Sequence, residues 1–399
     1  MLTPAEADAA IAAHLARAPE ESVPLPACAG RVLRQEVRAD RDAPPFDRVA
    51  MDGIAIASAA FQEGRREFRI AAVQPAGAPP VRLASGADCI EVMTGASLPD
   101  GCDAVVPVER IRIDGNVASL EAGHVAEPWM HVHRRASDAQ VGDLLLPAGT
   151  RLGGPEIAIA ASAGLLSLTV ARTPRIAVIS TGDELVEPGL PVLGHQVRRS
   201  NSYGLAAALR LAGFPPMTDL HLPDQRPVQE EALANALARH DALVLSGGVS
   251  AGRFDHVPGA LAALGVRRVF HQVSQRPGRP LWFGIGNSVT AVFALPGNPV
   301  SVLVCLSRYV IPALLAAAGA RVLARRIVAL AQAYDFRSPL TCFLPVALEY
   351  DRGGNTLAVP RPTRGSGDFI SLAGTDGFVE LPRGPALHPA GLAVPFYPW

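Results

Sequence analysis

From Arg175 to about Leu323 the chain alternates short apolar runs with helical patterns, and few folds accommodate that alternation. Parallel strands need a long crossover between them, normally a helix, so the pattern implies a mostly parallel sheet covered by helices on both faces. Strands are expected at 175–180, 217–222, 242–246, 269–272, 281–285 and 290–295, with helices at 202–212, 229–239, 257–264 and from Val300 onward. In such a sheet, ligands bind beyond the carboxyl ends of the strands, where strand-to-helix turns and helix N-termini converge.

The residues that follow each expected strand are small, hydroxylated or acidic. Thr181, Gly182, Asp183 and Glu184 follow the first, Pro223 and Asp224 the second, Gly247, Gly248, Val249, Ser250 and then Asp255 the third, and Pro296, Gly297, Asn298, Pro299, Val300 and Ser301 the last. The turns 246–250 and 295–301 lack bulk, so backbone N–H groups can approach a phosphate closely and form an anion cradle. Glu184, Asp224 and Asp255 put carboxylates on the same edge, which is unfavourable beside an anion unless a divalent cation bridges them; Mg²⁺ is the usual hard cation for such oxygens. Gly and Pro can also simply make turns and Asp can simply cap helices. Arg276 and Arg279, about one turn apart in a Pro/Gly loop, offer two guanidiniums to a tetrahedral dianion.

The rest of the chain differs in texture. Residues 1–44 begin with an amphipathic helical pattern over 1–21, and 149–171 returns to a helical pattern, so the two segments can pack together and form a linking domain, 1–44 with 148–173. Between them, 45–147 carries short β runs at 68–73, 104–108, 111–113 and 117–120 and reads as an inserted β-rich domain. Residues 174–323 form the α/β domain, and 324–399, rich in β runs, Pro and Gly, forms a small β domain. The insert also holds 44–53 and Met93 to Ala96, stretches unsuited to a strand interior, and His131 and His133, which read as surface histidines.

Composition removes several classes. All 36 Lys+Arg residues are arginine, so lysine-dependent phosphate loops and Schiff-base chemistry are excluded. The formal net charge of −1 gives no excess to attract nucleic acid or an anionic membrane. The five cysteines are widely spaced without a Cys-x-x-Cys pair, which fits small core residues and a reducing cytoplasm. The greasy stretches 157–171 and 300–318 are broken by Ser162, Gly164 and Ser167, or by Arg308 and Pro312, and read as buried helices instead of membrane spans.

Six motifs in order, PPFDRVAMDG (44–53), MTGASLPDGCDAVVPVE (93–109), STGDEL (180–185), SGGVSAGRFD (246–255), RPGRP (276–280) and LPGNPVS (295–301), together with GSGDFISLAGTDGFVELP (365–382), resemble molybdopterin molybdenumtransferases, the MoeA and gephyrin E-domain group. The resemblance spans essentially the whole chain. It implies a multidomain α/β plus β fold: a central three-layer α/β domain with a mostly parallel sheet, a β-rich inserted domain, a helical and extended linking domain, and a C-terminal β-barrel-like domain. It also implies a homodimer whose active site joins the α/β domain of one chain to the β insert of the other. The implied reaction takes adenylylated molybdopterin and molybdate to molybdenum cofactor with release of AMP, supported by Mg²⁺.

By resemblance, Asp52, Thr94, Asp138, Glu184, Asp224 and Asp255 fall on catalytic positions, with Glu184, Asp224 and Asp255 as metal ligands and Asp52 reaching in from the partner. Substrate binding falls on Thr181, Gly182, Asp183, Ser200, Asn201, Ser246, Gly247, Gly248, Ser250, Pro296, Gly297, Asn298 and Pro299, with Arg276, Arg279 and Ser301 on molybdate. Other cofactor-biosynthesis enzymes or apo-molybdoenzymes are the implied protein partners. The chain departs from the family pattern at Arg48, Ile54, Arg198, Arg199, Arg276, Arg279 and Pro345. Two other readings are a non-catalytic pterin-nucleotide-binding scaffold and an adenylyltransferase-like enzyme.

Overall fold

The computed structural model describes residues 1–214, 217–249, 256–287, 289–321, 325–384 and 386–399. The chain divides into two units, one of residues 1–35, 148–154 and 167–399, the other of 36–147 and 155–166.

In the larger unit a six-stranded sheet runs in the order Met217–Leu222, Ile176–Thr181, Ala242–Ser246, Ala291–Leu295, Trp282–Ile285, Arg267–His271. The first four strands are parallel, and the last two pairings are antiparallel. Two antiparallel steps restore the direction, so His271 ends on the same edge as Thr181, Leu222, Ser246 and Leu295. Side chains alternate between two cores, as the twofold period of a strand requires. Ile176, Val178, Phe283 and Phe293 meet Leu205, Leu209, Val302 and Tyr309 on one face, while Ala177, Ile179, Leu243, Leu245 and Val292 meet Leu233, Ala260 and Leu261 on the other. Burial on both faces is why the inner strands read as apolar runs, while the edge strands Met217–Leu222 and Arg267–His271 keep exposed polar residues.

The helical stretch Pro299–Ala317 is long and apolar enough to cross a membrane by length and composition, but most of it is buried against this sheet. Beyond it, Arg326–Leu330, Thr341–Tyr350, Thr356–Pro360, Gly377–Leu381 and Ala393–Pro398 close into a five-stranded barrel, because Thr341–Tyr350 pairs with both Thr356–Pro360 and Gly377–Leu381. Closure leaves no free sheet edge among those five strands. Val328, Leu344, Val346, Val379 and Phe396 fill it.

The N-terminal helix is shorter than the 1–21 pattern suggests. It spans Pro4–His14, opened by a capping box in which Thr3 and Glu6 satisfy each other's backbone donors. Glu20–Pro24 is a strand, paired antiparallel with Ser167–Ala171. The expected helix over 149–171 therefore needs correcting: only Gly154–Ser162 is helical, and 167–171 leaves the helix after Gly164 at φ +74° to take a strand partner.

The smaller unit is a mixed six-stranded sheet in the order Ala104–Pro107, Gly53–Ile56, Asp88–Val92, Glu67–Gln74, Val117–Leu120, Ile111–Asp114. The strand beginning at Gly53 is unexpected from the sequence. It runs between Asp88–Val92 and Ala104–Pro107. A Cβ at Gly53 would sit 2.0 Å from the Val106 carbonyl oxygen, so only glycine admits that close approach. The five cysteines are buried and unpaired.

Candidate functional site

Four turns pack together at the carboxyl edge of the parallel strands. Gly247 (φ +99°) and Gly248 (φ +70°) adopt left-handed backbone after Ser246, directly against Thr181. A Cβ at Gly247 would lie 2.8 Å from the Thr181 hydroxyl and 3.0 Å from its carbonyl, and one at Gly297 would lie 3.6 Å from Gly247 Cα. Backbone thus meets backbone with no side chain between. Asn201 locks the arrangement, donating both amide hydrogens, to Ser246 Oγ and to the Gly297 carbonyl, each at 2.8 Å. Its role is therefore partly architectural, a use that sequence reading alone did not separate from substrate binding.

Several polar groups at this edge have no partner among the described residues. The hydroxyls of Ser180, Thr181 and Ser202 are buried without a hydrogen bond. A buried hydroxyl left unpaired costs about 1–3 kcal/mol, so a cluster of them marks a place where a ligand completes the bonding. The Gly247 N–H, by contrast, is used by Leu295 O at 3.2 Å. At 295–301 the cradle is thinner than expected. Pro299 has no N–H, and the Val300 N–H is taken by Ser366 O at 3.1 Å, with Asn298 Nδ2 on Ser366 Oγ at 2.7 Å. This leaves buried Ser301 as the first-turn residue whose N–H has no partner among those described.

The acids divide by task. Asp183 accepts the Asp224 N–H at 3.0 Å and thereby holds that turn, and the Asp224 carboxylate is approached by Gln229 Nε2 at 3.5 Å. Glu184 is exposed, with its backbone carbonyl accepting from Val197 N at 2.9 Å. A Cβ on Gly182 would meet the Glu184 carboxylate at 2.4 Å, so that glycine makes room for the acid. Among the described residues, no three His, Cys, Asp or Glu side chains converge as a metal site. Ser250 and Asp255 lie outside the described residues.

Arg276 and Arg279 lie in the loop between Arg267–His271 and Trp282–Ile285, hence on the same carboxyl edge. Both are exposed and neither has a carboxylate partner among the described residues. Arg276 also faces the barrel: Gln275–Arg276 pairs in parallel with Thr341–Cys342. Burial pushes the Cys342 thiol up to about 12, against the opposing charge of Arg276.

Arg199 behaves differently from what its position beside Ser200 suggests. It is buried, donates to Asp219 at 2.6 Å and lies 3.2 Å from Glu187, which also accepts from the Tyr203 hydroxyl. Two carboxylates neutralise it, so it adds no free positive charge to the site. The acids that do this, Glu187 and Asp219, carry no sequence signal of that role.

In the smaller unit the other expected residues are brought into local clusters. Asp52 accepts from the Thr94 N–H at 2.6 Å and the Thr94 hydroxyl at 2.7 Å, and these bonds hold its carboxyl below the usual range. Asp138 accepts from His133 Nε2 at 2.7 Å and Ser137 at 3.2 Å, and His133 chiefly lowers its pKa. Arg48 donates to His133 Nδ1 at 2.8 Å. A guanidinium cannot accept, so His133 carries its proton on Nε2. His133 is thus the second link of an Arg48–His133–Asp138 chain, which the sequence left as a surface histidine.

Comparison with known proteins now decides the family. Residues 2–164 match the MoeA N-terminal region (domain I and II), 177–316 a probable molybdopterin binding domain, and 328–399 the MoeA C-terminal region (domain IV). The chain is similar to a molybdopterin molybdenumtransferase of Synechocystis sp., 40% identical over 400 residues and covering 100% of both chains. The chain belongs to the molybdopterin molybdenumtransferase family. A second member, from Bacillus subtilis, is 29% identical over 91% of this chain and 86% of its own. The crystal structure of a molybdopterin biosynthesis moeA protein from Pyrococcus horikoshii OT3 superposes with a TM-score of 0.81 at 25% identity, covering both chains fully. The multidomain α/β architecture with a closed five-stranded barrel is accordingly a family fold, shared with that neighbour.

Proposed function

We propose that this chain is a molybdopterin molybdenumtransferase, inserting molybdenum into molybdopterin in molybdenum cofactor biosynthesis. What supports the site assignment is the close approach of Thr181, Gly247 and Gly297 at the carboxyl edge of the sheet, the edge on which the 276–279 loop also opens, where buried hydroxyls have no partner among the described residues.

The finer reading is adenylylated molybdopterin plus molybdate going to molybdenum cofactor and AMP. The left-handed Gly247–Gly248 turn and the Thr181 hydroxyl bind the terminal phosphate, and Ser250, outside the described residues, is assigned to the same phosphate by resemblance. Ser200, Asn201, Pro296, Asn298 and Pro299 shape the wall against which the pterin nucleotide lies. The two unpaired guanidiniums take molybdate, a tetrahedral dianion, with Ser301 beside them.

The ligands we assign to Mg²⁺ are carboxylate oxygens, the donors a hard cation prefers: Glu184 is exposed, and Asp183 accepts the Asp224 N–H and so fixes the backbone of the turn that carries Asp224. Asp255 is the third ligand. When bound, the cation supplies charge neutralisation at the phosphoanhydride.

The four-domain division at 1–44 with 148–173, 45–147, 174–323 and 324–399 belongs to the same reading, as do a cytoplasmic location and a homodimer in which the insert's Asp52, Thr94 and Asp138 serve the partner's site. The support for dimerisation is the family resemblance of the 44–53 and 93–109 motifs. The scaffold and adenylyltransferase-like alternatives are not favoured, since all three family regions are matched.

The test is anaerobic incubation of the purified chain with adenylylated molybdopterin, Mg²⁺ and molybdate, following AMP release and dithiolene-bound metal. Molybdate-dependent AMP release with metal insertion is expected. Tight nucleotide binding with no AMP release would refute the transferase. An active species sedimenting as a monomer would refute the shared site.

A further inference from the structure

The loop bearing Arg276 and Arg279 is closed by backbone bonds from Val273 N–H to Arg279 O at 2.9 Å and from Leu281 N–H to Gly278 O at 3.2 Å, and a buried amide supports it from beneath. Gln275 is fully buried, and its Nε2 donates to the Pro277 carbonyl at 3.2 Å and lies 3.7 Å from Cys305 Sγ. Its Oε1 accepts from the hydroxyl of Tyr309, itself buried. That hydroxyl bond sets which way the amide faces, and so aims Nε2 at the loop. Gly278 presses on the same group. At φ +90°, a Cβ there would lie 2.6 Å from Cys305 Sγ and 2.7 Å from Gln275 Nε2, while the Cys305 thiol donates to the Gly278 carbonyl at 3.7 Å.

The two residues beneath the loop come from an irregular helix. Pro299–Cys305 is α-helical, but Leu306–Val310 is a π-helical turn before α-helix resumes at Ile311–Ala317. Such turns are rare, cost hydrogen-bond geometry, and concentrate at functional sites. Here the turn buries two successive polar side chains, with the Arg308 guanidinium 4.9 Å from the centre of the Tyr309 ring. Arg308 donates to Asp8 at 2.8 Å and to Glu380 at 3.0 Å, and Tyr309 donates to Gln275. Burial acts to lower the Arg308 pKa, but the two acids outweigh it and the group stays charged. The ion pairs pin the turn, and the turn pins Tyr309.

Above this support the two guanidiniums are exposed, and close like charges repel. An unsupported Pro/Gly loop would splay them apart and lose the convergence that a small dianion needs. Recognition by two arginines therefore depends on a stiff loop, paid for before binding.

We propose that Gln275 is a positioning residue for oxyanion recognition, held by Tyr309 on the π-helical turn 306–310, and that it fixes the 276–279 loop in the geometry that takes a tetrahedral dianion. This rests on the assignment of Arg276 and Arg279 to the oxyanion made above. Neither Gln275 nor Tyr309 touches the ligand.

The test uses the full chain with Tyr309→Phe, which removes one oxygen and keeps the ring, and Gln275→Met, which keeps the length and removes both hydrogen bonds. AMP release is followed against molybdate concentration, beside thermal melting and pterin-nucleotide affinity. In both variants the KM for molybdate is expected to rise about fivefold to tenfold, with kcat at saturating molybdate within about twofold and nucleotide affinity unchanged. If Tyr309→Phe does not fold, Gln275→Met decides. A parental KM in the folded variants, or a loss of kcat with KM unchanged, overturns the proposal. Arg276→Ala and Arg279→Ala run in parallel separate the two claims. A raised KM there with parental values in Tyr309→Phe and Gln275→Met sinks the positioning role alone, and a parental KM in the arginine variants sinks the oxyanion assignment and this inference with it.

Discussion

In the β insert, Asp52 already accepts two bonds from Thr94, and Asp138 already accepts from His133 and Ser137. At the carboxyl edge of the parallel sheet the balance is reversed. The hydroxyls of Ser180, Thr181 and Ser202 are buried and unpartnered, and Arg276 and Arg279 have no acid beside them among the described residues. The insert presents carboxylates whose position and ionisation are fixed in advance. The sheet edge instead presents unmet bonding capacity, which a ligand has to supply. The first kind of site is built for orientation, the second for binding energy.

The comparison breaks most visibly at the acids of the sheet edge. Glu184→Ala and Asp224→Asn are expected to lower turnover by about a hundredfold or more, since charge stabilisation at a phosphoryl centre is commonly worth that much. Circular dichroism and melting should stay near the parental values, because Glu184 is exposed and Asp224 is not part of a core. AMP release near the parental rate in both variants would remove them from the site.

Glycines separate the two regions next. Gly53→Ala forces a Cβ to 2.0 Å from the Val106 oxygen between two strands, so the insert must distort, at a cost of about 3 kcal/mol or more. Gly247→Ala meets the Thr181 hydroxyl at 2.8 Å and costs less stability, about 1–3 kcal/mol, but fills the cradle. Melting should therefore report mainly Gly53→Ala and pterin-nucleotide affinity mainly Gly247→Ala. The reverse ranking would show that the cradle is not where the nucleotide binds.

Much of this organisation is legible in the sequence, and the reason differs by region. Strand 242–246 falls where its apolar run places it, since burial on both faces leaves no polar interruption, and 217–222 falls where expected although it is an edge strand with Thr218, Asp219 and His221 exposed. Turns with forced left-handed glycines, 181–182 and 246–248, are legible because few residues tolerate that geometry. Three features are not legible. The Gly53–Ile56 strand hides behind a breaker residue whose lack of a side chain is the very thing the strand needs. The neutralisation of Arg199 by Glu187 and Asp219 joins residues 12 and 20 positions away through the fold. Pro312 marks a break in the helix, since it has no N–H for the Arg308 carbonyl, but does not reveal that the break takes the form of a π-helical turn at 306–310 whose Arg308 reaches Asp8 and Glu380, far away in the sequence.

A smaller effect tests pre-ionisation in the insert. Thr94→Val removes the hydroxyl bond to Asp52 and keeps the backbone one, so the Asp52 pKa should climb part of the way back toward its ordinary 3.8. A folded pKa depressed below the unfolded value contributes stability that is present above 3.8 and is lost as pH falls through the folded value. The variant should give up part of that contribution, and the acid limb of its pH–rate profile should move upward. An unmoved acid limb would mean that Asp52 ionisation does not limit turnover.

The smallest effect concerns Arg48, one of the positions at which the chain departs from the family pattern. Asp138 is held low first by the hydrogen bond from His133 and only last by the charge of Arg48, and all three side chains are exposed or half-exposed, where solvent weakens charge–charge terms. Arg48→Asn should therefore raise the Asp138 pKa only slightly, whereas His133→Phe, which deletes the largest contribution, should raise it clearly more. Carboxyl-carbon NMR titration of the two variants ranks them directly. If Arg48→Asn moves Asp138 as far as His133→Phe does, the arginine acts by orienting the imidazole and not by its charge, and the insert's acids depend on a relay that reaches one residue further than their own hydrogen bonds.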